Sequence, residues 1–424
     1  MKAAYYTLGC KVNQYDTQVM RDRLEKAGYQ TVAFEEKADI YIVNTCTVTQ
    51  ISDKKSRQTV SRAKRQNPDS ILIVCGCFSQ VAPNAAAALE GVDIVLGTSN
   101  RKDILTYIER YLQEKKQIVD VDNCGTLEQE EIHSFGKKTR AVLKIEDGCE
   151  NFCSYCLIPY ARGRIRSKPL EVIRREVNSL VNAGYREIVL TGIHLASYGK
   201  ELGAPCLEKA INEVAAIPGV ERIRLGSLEP RIITQAFLDQ VKNLPALCPH
   251  FHLSLQSGCD KTLKAMNRHY TTDDYRRAVR LLRENFAHCS ITTDIIVGFP
   301  GETEEDFMES LAFAKEIGFS KIHIFPYSAR EGTKAAKMKE QLTKSVKADR
   351  AKQMEEIEKQ TRLAFWNSML QTEQTVFPEE EKGGFNHGVT ANYCPVRWKE
   401  AADTNGVTLK ITDHDEEGLI GQLK

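Results

Sequence analysis

The stretch that most limits what this chain can be is Cys149-Glu150-Asn151-Phe152-Cys153-Ser154-Tyr155-Cys156, three cysteines in C-x3-C-x2-C spacing. No fourth cysteine follows within reach. A closed structural zinc site takes four ligands, commonly from two C-x2-C pairs. A four-iron cluster built for electron transfer takes four thiolates. Three thiolates on one loop leave one metal position open, as a site that does chemistry requires. An apolar strand is predicted just before the loop, over 141–145, and a helix after it, over 169–183. The loop therefore sits at the C-terminal end of a strand, where α/β folds carry their active sites. A zinc loop or a set of buried thiols is the competing reading of the spacing alone.

A chain of 424 residues is long enough for two or three domains with substantial cores. Its 42% hydrophobic and 27% charged content reads as soluble and globular. No apolar run is long enough to span a bilayer, and Met1 leads straight into a strand without a secretory signal, so a cytoplasmic location with no membrane partner is expected. In that reducing compartment, 13 cysteines argue for metal binding or catalysis rather than disulfides. The net charge of +1 does not by itself announce a nucleic-acid binder.

Residues 1–118 alternate short apolar runs (3–8, 31–34, 40–44, 71–75, 94–96) with helical stretches (16–27, 53–66, 83–90, 102–114). That alternation predicts an open, mainly parallel sheet. Cys10, Cys46 and either Cys75 or Cys77 each follow a strand, and parallel strands bring such positions to one edge. A second set of three thiolates with an open iron is inferred there, against the plainer reading of small core residues. Gly9 and Gly76 are expected to let the backbone approach a bulky ligand. Residues 119–140 read as an acidic linker that includes Cys124.

Residues 141–370 make the central domain and its helical extension. Six strands (142–145, 187–190, 222–225, 251–255, 291–297, 321–325) separated by helices predict a partial (β/α)6 barrel. Polar residues and glycines gather at the predicted strand ends: Gly192, Ser227, Glu229, Gln256, Asp294 and Gly298. Gly192 and Gly298 suit close approach of a flat or charged ligand; ordinary turn chemistry is the alternative for each. Two basic stretches, 160–168 and 54–65, are either solvated faces or phosphate contacts; for 160–168, beside the cysteine loop, substrate contact is expected. Residues 371–424 alternate like β-structure and predict a small β-barrel. With 10 acidic and 5 basic residues its charge is −5, a poor phosphate binder in bulk, so any RNA contact there is local, through Arg397, Trp398 and Lys399.

The cysteine loop, with Tyr155 before its last cysteine, resembles the radical S-adenosylmethionine (SAM) enzymes. Gly9-Cys10-Lys11-Val12-Asn13-Gln14, Asn44-Thr45-Cys46 and Gly76-Cys77-Phe78-Ser79-Gln80 resemble their methylthiotransferase branch, and the C-terminal segment resembles a TRAM domain. The resemblance covers nearly the whole chain. It implies an α/β protein: an N-terminal open parallel-sheet domain, a central radical SAM barrel and a small TRAM-like β-barrel. It implies one 4Fe-4S cluster on Cys149, Cys153 and Cys156, with SAM on the fourth iron, and a second on Cys10, Cys46 and Cys77, which leaves Cys75 as core. Asn13, Gln14 and Asp16 match the same pattern, as supports of the sulfur site or as caps of the next helix. Tyr155, Gly192, Ser227, Glu229, Gln256, Asp294 and Gly298 are the expected SAM-binding residues.

The implied chemistry replaces C–H by C–S–CH3 at an unactivated carbon, which acid–base groups cannot attack, so the cofactors must carry it. One SAM yields a 5′-deoxyadenosyl radical and a second gives the methyl group. An external electron donor is implied; the sulfur donor is left open. Thr191-Gly192-Ile193-His194-Leu195-Ala196-Ser197-Tyr198-Gly199 and Gly226-Ser227-Leu228-Glu229-Pro230 resemble the branch that acts on threonylcarbamoyladenosine beside the tRNA anticodon. The isopentenyladenosine branch and the ribosomal-protein aspartate branch are the alternatives. A redox or RNA-binding iron–sulfur protein is the non-enzyme alternative, which two open triplets disfavour.

Overall fold

The computed structural model describes all residues except 48–49, 122–131, 133–138 and 401–405, together with the side chains of 50–54. Six parallel strands form the N-terminal sheet: Lys2–Thr7, Gln30–Val32, Ile40–Thr45, Ile71–Gly76, Ile94–Leu96 and Ile118–Asp120. In space the second strand lies outside the first, and the third to sixth extend the other way. The chain thus reverses direction between the first and third strands, the crevice where open α/β sheets bind ligands. The sixth strand pairs with Ile94–Leu96 and reaches into the segment that sequence reads as linker. Cys124 lies outside the described residues. The third and fourth strands are buried along their whole length, as apolar runs covered on both faces must be.

The first helix runs Lys11–Lys26, starting directly after Cys10 rather than at 16. Asn13, Gln14 and Asp16 are therefore inside the helix and cannot cap it. A short helix, Cys77–Val81, was not expected.

The central strands Arg140–Lys144, Glu187–Thr191, Arg222–Leu225, His250–His252, Ser290–Val297 and Lys321–Pro326 are all parallel. They form two three-stranded sheets, joined by bridges Ile223↔Leu247 and Leu228↔Leu253 into one open barrel. Alternate residues face the surrounding helices: Ala141, Leu143, Ile188, Leu190, Ile223, Leu225 and Ile291 belong to one core. Tyr15 and Val19 of the first helix join that same core, so the N-terminal domain closes the barrel's open side. The intervening residues, including Arg222, Arg224, His252 and Asp294, face the lumen.

Helix Lys344–Ser368 leads to a closed five-stranded barrel: Glu373–Lys382, Phe385–Thr390, Pro395–Trp398, Val407–His414 and Leu419–Leu423. It docks under the central barrel. Arg224 donates to the carbonyls of Thr390 (2.9 Å) and Ala391 (2.8 Å), and Arg222 donates to those of Thr375 and Val389. Tyr393 stacks on His250 with ring centroids 4.8 Å apart, and Arg224 lies 4.7 Å over the same ring. Trp398 is fully buried in the small barrel's core, and Arg397 is ion-paired with Asp415 and Glu417. Neither is free for the RNA contact that sequence suggested. No helix among the described residues is long and apolar enough to cross a membrane.

Candidate functional site

Thr7, Asn44 and Cys75 stand in one row across the first, third and fourth strands, so Cys10, Cys46 and Cys77 emerge together just beyond their C-terminal ends. Cys46 and Cys77 are buried and Cys10 is exposed at the crevice. A Cβ on Gly9 would lie 2.7 Å from Cys46 Sγ; glycine there makes room for a cysteine of the set, at a φ of +94° that favours it. A Cβ on Gly76 would meet Asn44 and the Thr45 carbonyl, so neither glycine opens toward a ligand. Cys75 points the other way, into an apolar core beside Met20 (4.0 Å), and burial pushes its thiol up to about 12. Cys77, not Cys75, faces Cys10.

The second set lies on the loop after Arg140–Lys144. The thiols of Cys149, Cys153 and Cys156 feel one another's charge, and burial pushes Cys149 to about 11 and Cys156 to about 12. Such thiols need a metal to stay deprotonated. The loop supplies what anionic sulfur attracts: Arg268 Nη1 donates to Cys153 Sγ at 3.2 Å and the Ile158 amide donates to Cys156 Sγ at 3.4 Å. Three converging thiols with N–H donors and no fourth cysteine fit a cluster with one open iron at each site.

Helix Ile158–Arg162 follows Cys156 directly and packs on helix Cys77–Val81, so the two cysteine sets are neighbours across the domain boundary. Arg162 spans that boundary. It is fully buried and donates to Cys77 Sγ (3.4 Å), Asp16 (2.9 Å), Asp147 (3.1 Å) and Asn13 Oδ1. Arg162 is therefore not the phosphate contact expected of the 160–168 stretch. Lys168 is buried too, bonded to Glu176 and Tyr15. Asp16 also meets Arg101 at 2.8 Å and Lys144 at 2.5 Å. Burial alone would raise its pKa, but Arg101, Lys144 and Arg162 hold it far below the usual carboxylate range.

Above the cluster loop, Glu229 accepts from Asn151 Nδ2 (3.2 Å) and Arg231 Nε (2.6 Å) and sits 3.3 Å from His194 Nε2. Burial would raise its pKa; the bonds to His194 and Arg231 and the nearby Arg268 hold it at about 2. Asn151, His194, Ser197, Lys200, Glu229 and Arg231 line a cavity of about 940 Å³. Ser227 is exposed at the same strand end, and Tyr155 packs edge-on to Phe299. Gln256 adopts φ +70°, a left-handed backbone held by its amide on the Asp294 carbonyl (2.8 Å) and its carbonyl on the Ile296 amide. Asp294, His252 and His323 bring ligand atoms within 4.8 Å of one another in the lumen.

A Cβ on Gly192 would strike the Glu146 carboxylate, and one on Gly298 would strike Lys347. In both places the protein's own side chain uses the space. Sequence reasoning also passed over Glu146, Asn151 and Arg268. Glu146 is buried, accepts from the His194 amide at 2.8 Å, and has no hydrogen-bond partner for Oε1 among the described residues. Burial raises its pKa, against the His194 and Ile193 amides.

A second cavity, about 1020 Å³, opens beside both cysteine sets and is lined by Thr47, Arg57, Phe78, Leu157, Tyr160 and Arg330. Tyr160 of its lining is 60% exposed and packs edge to face, at 5.7 Å, on Phe152, itself 47% exposed.

Comparison with known proteins agrees with this geometry. Residues 2–97 match the profile described as "Uncharacterized protein family UPF0004" and residues 143–314 that of the radical SAM superfamily. The threonylcarbamoyladenosine tRNA methylthiotransferase MtaB of Bacillus subtilis is 40% identical over 96% of this chain and 92% of its own length. Its Thermotoga maritima counterpart is 41% identical over 98% and 95%. A tRNA-2-methylthio-N(6)-dimethylallyladenosine synthase of Clostridium tetani is 38% identical over 83% and 79%. Among solved structures, the radical SAM methyltransferase TsrM of Kitasatospora setae, with cobalamin and a [4Fe-4S] cluster bound, superposes with a TM-score of 0.60 at 16% identity, covering 79% of this chain and 77% of that one. That likeness concerns the fold.

Proposed function

Because this chain belongs to the MtaB family of radical SAM tRNA methylthiotransferases, we propose that it converts N6-threonylcarbamoyladenosine beside the anticodon of a tRNA to the 2-methylthio derivative, in the cytoplasm and with electrons from an external donor. The observation that carries the site assignment is Arg162, which ties the loop of one cysteine set to Cys77 of the other. A reaction that breaks C–H and forms C–S on one carbon needs radical source and sulfur source within reach of that carbon.

Bound to this chain, two 4Fe-4S clusters and SAM supply the electron, the radical, the sulfur and the methyl group. Cys149, Cys153 and Cys156 would hold one cluster, and Cys10, Cys46 and Cys77 the other. Glu229, kept ionised, would hold the polar groups of SAM together with Ser227, Gln256 and Asp294. Asn151 and His194 fix the carboxylate of Glu229, and Arg268 sets positive charge between Glu229 (4.0 Å) and Cys153. Phe152 and Tyr160 offer π-faces to unstacked bases, and exposed Arg57 lies across the same cavity. The small barrel, acidic and engaged below the central one, is not the main RNA surface.

Nucleoside mass spectrometry of tRNA from cells with and without the gene tests the reading. Loss of 2-methylthio-threonylcarbamoyladenosine, with its unthiolated precursor accumulating, is the expected result. Loss of the isopentenyl counterpart instead would replace the substrate. No change in either would remove tRNA from the assignment.

A further inference from the structure

The two adenosine substituents that relatives of this chain accept differ in charge. Dimethylallyl is a neutral hydrocarbon; threonylcarbamoyl ends in a carboxylate. A site that accepts the second must place a cation where the first needs only apolar wall, because an anion buried without a partner costs several kcal/mol.

Among the described residues, the crevice beside the N-terminal cysteines holds a cation suited to that task. Most of the lumen's positive groups are committed: Arg222 and Arg224 bind Glu187 and the carbonyls of the C-terminal barrel, and Arg140 binds Glu379. Lys11 has no hydrogen-bond or ion-pair partner among the described residues. It is the first residue of helix Lys11–Lys26, so its backbone is fixed, and it follows Cys10 directly. Its electrostatic neighbours are the lumen residues Arg140, Arg224 and Glu187, and its charge is felt by His250. The side chain is exposed at the crevice, one residue from a candidate cluster ligand and within electrostatic reach of those barrel residues. Asp294 stands with His252 and His323 on the opposite strands, so a bound carboxylate is drawn to the Lys11 side.

We propose that Lys11 is the residue that reads the threonyl carboxylate of the modified adenosine, and so sets the preference for an anionic over a neutral N6 substituent. This rests on the substrate reading above. The ammonium forms a charge-assisted hydrogen bond with the carboxylate while the adenine ring lies toward the cysteine sets. The bond belongs to ground and transition states alike, so it acts through KM rather than kcat.

The test compares Lys11→Met with the unaltered, cluster-loaded enzyme. Three anticodon stem-loop RNAs serve as probes: one with N6-threonylcarbamoyladenosine, one with its methyl ester, and one with N6-isopentenyladenosine. Binding is measured directly and turnover separately, with iron content and the spectrum of the N-terminal cluster as controls for damage at Cys10. The expected result is a loss of ~10- to 100-fold in affinity and a matching rise in KM for the free acid, with kcat nearly kept. Affinity for the ester is unchanged, so the variant no longer separates acid from ester. Lys11→Arg restores part of the preference. Equal losses on acid and ester with clusters intact would overturn the assignment, and so would full retention of the acid preference. If the unaltered enzyme thiolates the isopentenyl probe and not the acid, the substrate reading itself fails, and this inference with it.

Discussion

Replacing Asp16 by Asn tests whether one buried carboxylate locks the two cysteine-bearing domains together. Asp16 faces Arg101 at 2.8 Å, Lys144 at 2.5 Å and Arg162 at 2.9 Å, with all four side chains at most 2% exposed. At an effective dielectric constant of about 20, each of these pairs is worth ~6 kcal/mol of attraction. Desolvating four ions consumes most of that sum. What remains measurable is the cost of leaving cations without their anion, ~3–5 kcal/mol for a broken buried pair. Lys144 and Arg162 keep Asp147, at 3.3 and 3.1 Å, which places the expected loss at the lower end. The asparagine keeps the shape and a weaker acceptor, so the charge is what is removed. Urea unfolding at pH 7 of the cluster-free protein, Asp16→Asn against the parent, reads the difference, with iron loading of the N-terminal set as a second readout.

The pH dependence follows from the low pKa of Asp16. Its contribution is fully present above the unfolded-chain value of about 4 and is lost as pH falls from there toward the folded value. The gap between the two proteins should therefore be constant from pH 8 to 5 and close only in acid. A loss under ~1 kcal/mol, or a gap that closes between pH 8 and 6, would refute the argument.

Three further outcomes are expected. Cys77→Ala should remove the iron and the spectrum of one cluster while Cys75→Ala keeps both, as measured by iron and sulfide analysis; the reverse pattern would exchange the two residues. Glu229→Gln should weaken SAM binding by ~10- to 100-fold, by calorimetry, without loss of iron, because it removes a carboxylate held ionised at about pKa 2; unchanged affinity would take Glu229 out of the SAM site. Phe152→Ala with Tyr160→Ala should lower tRNA affinity by ~10-fold or more, with SAM cleavage in the absence of tRNA unaltered; unchanged affinity would move the RNA surface elsewhere.

The strands and the six cysteines were legible because each carries a local signal: an apolar run, a spacing, a shared place after a strand. The misreadings came where the deciding partner is remote. Arg162 looked like a phosphate contact in an accessible basic stretch, yet Asp16 and Asn13, nearly 150 positions earlier, make it an internal ion. Gly192 and Gly298 looked open to a ligand, and only the folded chain brings Glu146 and Lys347 into that space. The start of helix Lys11–Lys26 was hidden because Cys10 stands at the N-cap and makes no side-chain bond there, so the usual Ser, Thr or Asp mark is absent. Strand Ile118–Asp120 is three residues long and runs into an acidic stretch. Strand Pro395–Trp398 opens with proline, a residue that argues against a strand unless it lies at an end.

The small C-terminal barrel is held under the central one chiefly through its main chain: the carbonyls of Thr375, Val389, Thr390 and Ala391 receive Arg222 and Arg224. Every residue type has a carbonyl. Apart from Tyr393, Asn392 and Glu379, which make side-chain contacts across the joint, side chains on that rim are thus free to vary, and the domain can drift to a net acidic surface without coming loose. What it cannot tolerate is a change in length: one residue added or removed between Val389 and Tyr393 shifts every acceptor out of line with two rigid guanidinium groups. Along those carbonyls the joint is keyed by count more than by chemistry.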